Sequence, residues 1–296
     1  MQNRLKPGPA VFAAYILPVF ALYTFVVFVP IVLAVYYGFF DWSGGTKKEF
    51  TGLANYIALF QDARFWSALK NNLFLVAVCV IGQIGLAFIF AMFLSSRLAK
   101  LKNFHRTISF FPSVLSAVVI GFIWSMIYDY NYGLLNMLLR SAGMADKIRP
   151  WLADEKMVMP LVTVPLIWQY AGYYLIIIMS SIAGIDSQIF EMAEIDGATG
   201  WKKAIHITLP MIRNTIAVCI TLCIAGNMKA FDHIWTMTSG GPGNASEVVA
   251  LYAYKTSFAS QKMGYGSAVS IGILVISLLF VGAVRMIMNQ LMKEKE

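Results

Sequence analysis

Two short stretches put polar and aromatic side chains inside long apolar runs. Trp168, Gln169, Tyr170, Tyr173 and Tyr174 lie in one run, and Asn227, Lys229, Phe231 and Asp232 lie near the end of another. Polar groups in such runs are expensive to bury and are often functional. Aromatic faces beside fixed donors and acceptors, in a concave and partly apolar lining, are chemistry that holds a sugar. The plainer reading is interhelical hydrogen bonding, and for Gln169, Tyr173 and Asn227 the two stay open. Lys229 and Asp232 are three apart, a spacing that pairs them on one helix face. Asn71, Asn72 and Gln83 read as groups that glue helices together.

Other reactive residue types offer less. Cys79, Cys219 and Cys223 are too few for a disulfide framework, and all three lie in apolar runs. They read as buried, inert thiols. His206 and His233 are too far along the chain to complete a local metal pattern with Cys219 and Cys223. No metal or cofactor is expected on this chain. No nucleophile–base pair occurs at membrane depth, which argues against an intramembrane enzyme. No Gly-x-x-x-x-Gly-Lys-Ser/Thr loop is present, so the chain is not expected to hydrolyse ATP.

The elements that must position these groups follow from composition. Of 296 residues, 59% are apolar and 13% charged, whereas a soluble domain carries about 25% charged residues. Mean hydropathy is +0.68. These values point to an all-α integral membrane protein. A crossing helix needs about 20 apolar residues, and six stretches qualify: about 11–39, 71–94, 108–128, 158–183, 215–235 and 268–289. The first is too long for a signal-peptide core and is expected to remain as an anchor. Pro112, Pro160 and Pro165 shape the beginnings of spans. No internal repeat or flexible linker stands out, so residues 1–296 read as one membrane domain.

The net charge of +8 sits between the apolar runs. It fits loops beside an anionic leaflet and not a basic stripe for nucleic acid. Arg97, Lys100, Lys102 and Arg106 make the densest positive loop, which places it and both termini in the cytoplasm. The segments 41–69, 131–157 and 236–267 then face outward. Residues 133–139 read as a short interfacial helix. Tyr36, Tyr37, Trp42, Trp124, Tyr128 and Tyr130 form an aromatic belt.

The cytoplasmic segment 184–213 is more than a turn. Ser187 can cap a helix starting at Gln188 that carries Ile189, Phe190, Met192, Ala193 and Ile195, with Glu191, Glu194 and Asp196 alongside. Gly197 ends it, being able to take positive φ. A second short helix runs from Gly200 to Leu209-Pro210. An acidic, partly apolar helix is poorly suited to an anionic bilayer surface. It is suited to a groove on a cytoplasmic protein.

The stretch EMAEIDGATGWKKAIHITLP resembles the signature of permease subunits of binding-protein-dependent ABC importers. That signature runs Glu-Ala-Ala, three residues, Gly, nine residues, Ile, one residue, Leu-Pro. Glu191, Ala193, Gly197, Ile207, Leu209 and Pro210 fall in register, with Met192 in place of the first Ala. The stretch GLANYIALFQDARFWSALKNNL, and FDHIWTMTSGGPGNASEVVALYAYKTSF with its Gly240-Gly241-Pro242, are similar to the maltose and multiple-sugar branch.

The resemblance implies an ABC importer permease fold with six transmembrane helices and a cytoplasmic coupling helix at 188–197. It implies a multi-pass protein of a bacterial or archaeal inner membrane that forms half of a translocation pathway. The implied partners are a second homologous permease, an ABC ATPase dimer holding ATP and Mg, and an extracytoplasmic solute-binding protein that delivers a sugar or oligosaccharide. Glu191, Ala193, Glu194, Asp196, Gly197, Leu209 and Pro210 would couple to the ATPase. Trp168, Gln169, Tyr170, Tyr173, Asn227, Lys229, Phe231 and Asp232 would meet the solute. A glycerol phosphate ester is the alternative cargo. Because it would want cations and Lys229 stands alone in a span core, the neutral sugar is preferred. A stand-alone secondary transporter would need repeats and intramembrane carboxylates, of which only Asp232 qualifies.

Overall fold

A computed structural model describes residues 9–96 and 100–293. Arg4, Lys6, Arg97 and Lys295, which contribute to the orientation argument, lie outside the described residues, as does the side chain of Lys293. In chain order the helices are α1 (Ala10–Tyr37), α2 (Ala54–Gln61), α3 (Ala63–Ser95), α4 (Lys102–Phe110), α5 (Ala117–Ile127), α6 (Leu134–Ser141) and α7 (Val158–Ala183). They continue with α8 (Ser187–Ile195), α9 (Gly200–Met211), α10 (Arg213–Asn227), α11 (Asp232–Thr238), α12 (Val249–Tyr254) and α13 (Met263–Lys293).

Among the described residues, four helices are long and apolar enough to cross a membrane: α1, α3, α7 and α13. The number rises to six if each of two bent pairs is one span. Helices are forced here because hydrocarbon offers the backbone no hydrogen-bond partner. Pro165 inside α7 removes the donor that would reach the Leu161 carbonyl. Tyr128 replaces it, its Oη donating to that carbonyl at 3.4 Å.

The bent pairs differ from the expectation of straight spans at 108–128 and 215–235. The first pair turns by 98° between a 3-10 turn at Phe111–Val114 and α5. Pro112 tightens that turn, and Leu115 and Ser116 are extended. The second pair turns by 77° at Ile212, between α9 and α10. The helix from Gly200 thus passes through Leu209-Pro210 and ends at Met211, with a wide π turn over Ala204–Thr208 easing Pro210 into the chain. At its far end α10 stops at Asn227, whose Nδ2 folds back onto the Cys223 carbonyl at 2.9 Å. Residues 228–231 leave the helix before α11 begins. Lys229 and Asp232 therefore do not share one helix face, and no ion pair joins them.

The chain divides into two compact units. One comprises residues 1–62 and 253–275. It contains a hairpin that the sequence reading does not foresee, β1 (Phe40–Trp42) against β2 (Lys48–Phe50), antiparallel with Asp41 opposite Glu49. Asn55 Nδ2 ties this hairpin to the end of α1 through the Gly38 and Phe40 carbonyls at 3.0 and 2.9 Å. Tyr37 stacks on Trp42 at 4.2 Å. None of the apolar window of α1 is buried by the chain.

The other unit comprises residues 63–252 and 276–296. Its core surrounds α7: Leu75, Cys79, Ala87, Leu166, Leu175, Ile178, Cys219, Cys223 and Ile234 are all buried. Gly172 brings α7 against the backbone of α4, where an added Cβ would strike the Ser109 carbonyl. A short helix is present as α6, where the sequence reading expects one at 133–139.

Candidate functional site

Several buried polar side chains of this unit bond to backbone carbonyls or to one another. Gln83 Nε2 donates to the Leu166 carbonyl at 3.1 Å, and Cys223 Sγ donates to Gln83 Oε1 at 3.1 Å. Asn72 Nδ2 donates to the Asn227 carbonyl at 3.3 Å. Asn71 Nδ2 donates to the Ala245 and Glu247 carbonyls at 3.1 and 3.0 Å. These bonds take up carbonyls at the end of α10, in the loop before α12 and inside α7, which is the glue role read for Asn71, Asn72 and Gln83.

A cavity of about 360 Å³ opens beside them. Its lining includes Tyr170, Asn227, Lys229, Phe231 and Asp232, five of the eight residues picked from the sequence for solute contact. The break after α10 creates it: residues 228–231 leave the helix and turn Lys229, Phe231 and Asp232 toward Tyr170 of α7. Phe231 also stacks nearly parallel on Trp235, centroids 5.8 Å apart. Gly226 and Ala230 add little bulk to the lining. The lining thus combines an aromatic face, one cation, one anion and two phenols, which suits a polyhydroxylated solute. Gln83, Tyr174 and His233 also line it. The sequence offers His233 only as a possible metal ligand, and only its place beside Asp232 marks it for this lining.

The other three solute candidates lie outside this lining. Trp168 is 43% exposed and meets Trp124 edge-to-face at 6.1 Å. Tyr173 is 39% exposed and lies edge-on to Tyr174 at 5.2 Å. Gln169 is 1% exposed. Its Nε2 donates to the Leu115 carbonyl at 2.9 Å and its Oε1 lies 2.6 Å from His233 Nε2.

The second feature is the loop after α7. Asp186, not Ser187, caps α8, its Oδ1 accepting from the Gln188 N–H at 3.0 Å. An aspartate at that place also suits the positive helix end. Gly197 has φ +75°, and the Ala198 N–H reaches back to the Ala193 carbonyl at 2.8 Å. That bond over a left-handed glycine is a Schellman closure. Glu194 Oε1 accepts from Lys203 Nζ at 3.0 Å, and the same ammonium sits 5.4 Å from the Phe190 ring centroid. So Glu194 staples α8 to α9.

Ala193 is 5% exposed and packs into the chain, whereas Met192 and Ile195 are 57% and 85% exposed. Glu191 shares that open side. Asp196 and Pro210 are also exposed, and Leu209 is half-buried. Beside α8 lies a groove of about 1000 Å³ with Arg106, Phe190, Glu191, Trp201 and Lys203 in its walls. Among the described residues, no group of His, Cys, Asp and Glu is arranged to hold a metal ion.

Comparison with known proteins places the chain in a family. Residues 83–292 match the family described as binding-protein-dependent transport system inner membrane component. The probable ABC transporter permease protein YurN of Bacillus subtilis is 35% identical over 280 residues, 94% of each chain. The diacetylchitobiose uptake system permease protein NgcF of Streptomyces coelicolor is 30% identical over 92% of this chain and 80% of that one. The fold also matches a chain from the crystal structure of a bacterial ABC transporter that imports the acidic polysaccharide alginate. The TM-score is 0.83 at 22% identity, with 95% of both chains covered.

Proposed function

The chain belongs to the family of binding-protein-dependent transport system inner membrane components, and from that premise we propose that it is the permease subunit of an ATP-driven importer of a sugar or oligosaccharide. The observation that carries the reading is the family match itself, which takes in both the 360 Å³ cavity and the α8 loop. Relatives named for diacetylchitobiose, arabinooligosaccharide and lactose uptake support the sugar class.

In this reading the chain spans the inner membrane six times with both termini in the cytoplasm, and it forms half of the pathway beside a second permease. Two ABC ATPase subunits bind below and hold ATP and Mg, and an extracytoplasmic binding protein delivers the solute. An alginate importer of the same fold has been crystallised with its periplasmic protein carrying an alginate pentasaccharide. Tyr170, Asn227, Lys229, Phe231 and Asp232 meet the sugar on its way through. Lys229 is accompanied by Asp232 in the same lining, so the cavity offers no uncompensated cation to a glycerol phosphate ester.

Coupling runs through α8. Ala193 and Gly197 set how the helix sits on its own chain. The side carrying Glu191, Met192 and Ile195 docks into the ATPase, with Glu191 facing a basic residue there. Glu194, Asp196, Leu209 and Pro210 shape the loop behind it. The test is purification of the tagged chain from gently solubilised membranes, with mass spectrometry of what accompanies it, then uptake by the reconstituted complex. Recovery of a second permease and a P-loop ATPase is expected, with transport that depends on ATP. A chain that moves solute alone would replace this reading with a secondary transporter.

A further inference from the structure

Glu247 is a charged group with 1% of its side chain exposed. It belongs to the loop 239–248 between α11 and α12, and neither the cavity nor α8 uses it. Arg64, at the start of α3, grips it with two hydrogen bonds: Nε to Oε2 at 2.7 Å and Nη2 to Oε1 at 2.8 Å. Nη2 also reaches Asn244 Oδ1 at 3.1 Å. Seven residues further along α3, Asn71 holds the Ala245 and Glu247 carbonyls. Inside the loop, Ser246 Oγ donates to the Gly241 carbonyl at 2.7 Å and lies 2.8 Å from Thr238 Oγ1.

This is more fastening than a connection needs. Ser239, Gly240, Gly243 and Asn244 all have positive φ. Non-glycine residues persist there only when their surroundings over-determine them. The pair is buried at one end only, Arg64 being 46% exposed and Glu247 1%, and it is a weak source of stability, because desolvation of the carboxylate and solvent around the guanidinium offset most of the attraction. The better-attested use of such a pair is to specify one arrangement among several. The loop continues α11 directly, and the first residues of α11, Asp232 and His233, line the cavity. At its other end α11 is held by the His233–Gln169 contact.

We propose that Arg64 and Glu247 are positioning residues for transport. By fixing the 239–248 loop they fix α11, and with it the cavity wall that Asp232 supplies. The inference rests on the importer reading of the chain. It assigns the pair to transport geometry and not to folding.

The experiment uses the complete complex, purified through this chain and reconstituted with its binding protein over a range of concentrations up to saturation. Uptake is read with diacetylchitobiose, lactose and an arabinooligosaccharide. The double variant Arg64→Met/Glu247→Met is expected to assemble as wild type with maximal uptake reduced about tenfold or more, since an ångström of misplacement can cost about 10²-fold. The concentration of loaded binding protein giving half-maximal uptake should stay unchanged, which separates cavity geometry from partner docking. Wild-type uptake by the assembled apolar pair overturns the proposal.

Two further variants cover a double variant that does not assemble. Arg64→Lys keeps the charge but loses the fork and is expected to slow maximal uptake several-fold at full assembly. The reversed pair, Arg64→Glu/Glu247→Arg, is expected to exceed either of its single variants. A wild-type rate in Arg64→Lys, or a reversed pair no better than its singles, counts against the proposal. A wild-type complex whose uptake needs neither ATP nor binding protein sinks the importer reading instead, and this inference with it.

Discussion

Gln169 Oε1 lies 2.6 Å from His233 Nε2, while Gln169 Nε2 donates to the Leu115 carbonyl at 2.9 Å. One side chain on α7 thus joins the break before α5 to the first turn of α11. Both partners sit where a helix has been interrupted and backbone groups have lost their own ladder. Replacing Gln169 by Ala leaves the Leu115 carbonyl and a buried imidazole without this partner. The expected loss is about 1–3 kcal/mol of stability, seen as earlier thermal aggregation of the detergent-purified chain. Uptake per assembled complex should fall as well, because the same contact holds the first turn of α11. Unchanged thermal stability with lost uptake would return Gln169 to solute contact.

Gly197 carries the closure of α8 at φ +75°. An alanine there adds about 1–2 kcal/mol of left-handed strain and loosens the Ala198–Ala193 bond. Because nothing lies within 4 Å of an added Cβ, the effect is conformational and not a clash. The Gly197→Ala complex should assemble yet hydrolyse ATP with reduced sugar transport per ATP. The ratio of sugar moved to phosphate released, measured in the same vesicles, checks this. A wild-type ratio removes Gly197 from coupling.

Ile195 is 85% exposed and Met192 57% exposed on the open side of α8. Fully burying a side chain of that size against a partner is worth about 1.5–3 kcal/mol, or about tenfold or more in affinity. Ile195→Ser should therefore lower the amount of ATPase recovered with the tagged chain while the chain itself stays folded. Ala193→Leu should act by another route, displacing α8 from its own chain, and should lower thermal stability as well. Equal ATPase recovery from wild type and Ile195→Ser would mean that α8 docks by another face.

How much of this was legible beforehand depends on the range of each interaction. The apolar runs gave the long helices, because lipid leaves the backbone one local solution. The loop at 184–213 was legible because caps and glycine closures are read within a few residues, although the cap proved to be Asp186 one place earlier. The breaks at Leu115 and at 228–231 were not legible. They depend on distant side chains such as Gln169 that take up the freed carbonyls. The strands of the hairpin at Phe40–Phe50 are three residues each, too short for alternation to mark them in sequence. Arg64 and Glu247 are 183 residues apart, and no local spacing reveals such a pair. For the same reason Gln169 and Tyr170, neighbours in sequence, part company: one turns into the core and the other into the cavity.

Gly172 and Gly226 test packing against pathway. A Cβ on Gly172 would strike the backbone of Ser109, so α7 and α4 must separate to admit it. Backbone cannot rotate away as a side chain can, and overpacking of this kind costs about 1–3 kcal/mol. Gly172→Ala should reduce folded yield and thermal stability. Gly226 lines the cavity, and nothing lies within 4 Å of its added Cβ. Gly226→Leu should therefore fold and assemble normally, because its side chain enters open space. It should reduce maximal uptake by taking up part of a 360 Å³ cavity, and reduce it more for longer oligosaccharides than for lactose. Uptake by Gly226→Leu equal to wild type for every sugar would mean that solute does not pass this wall, and the contacts assigned to Tyr170, Phe231 and Asp232 would fall with it.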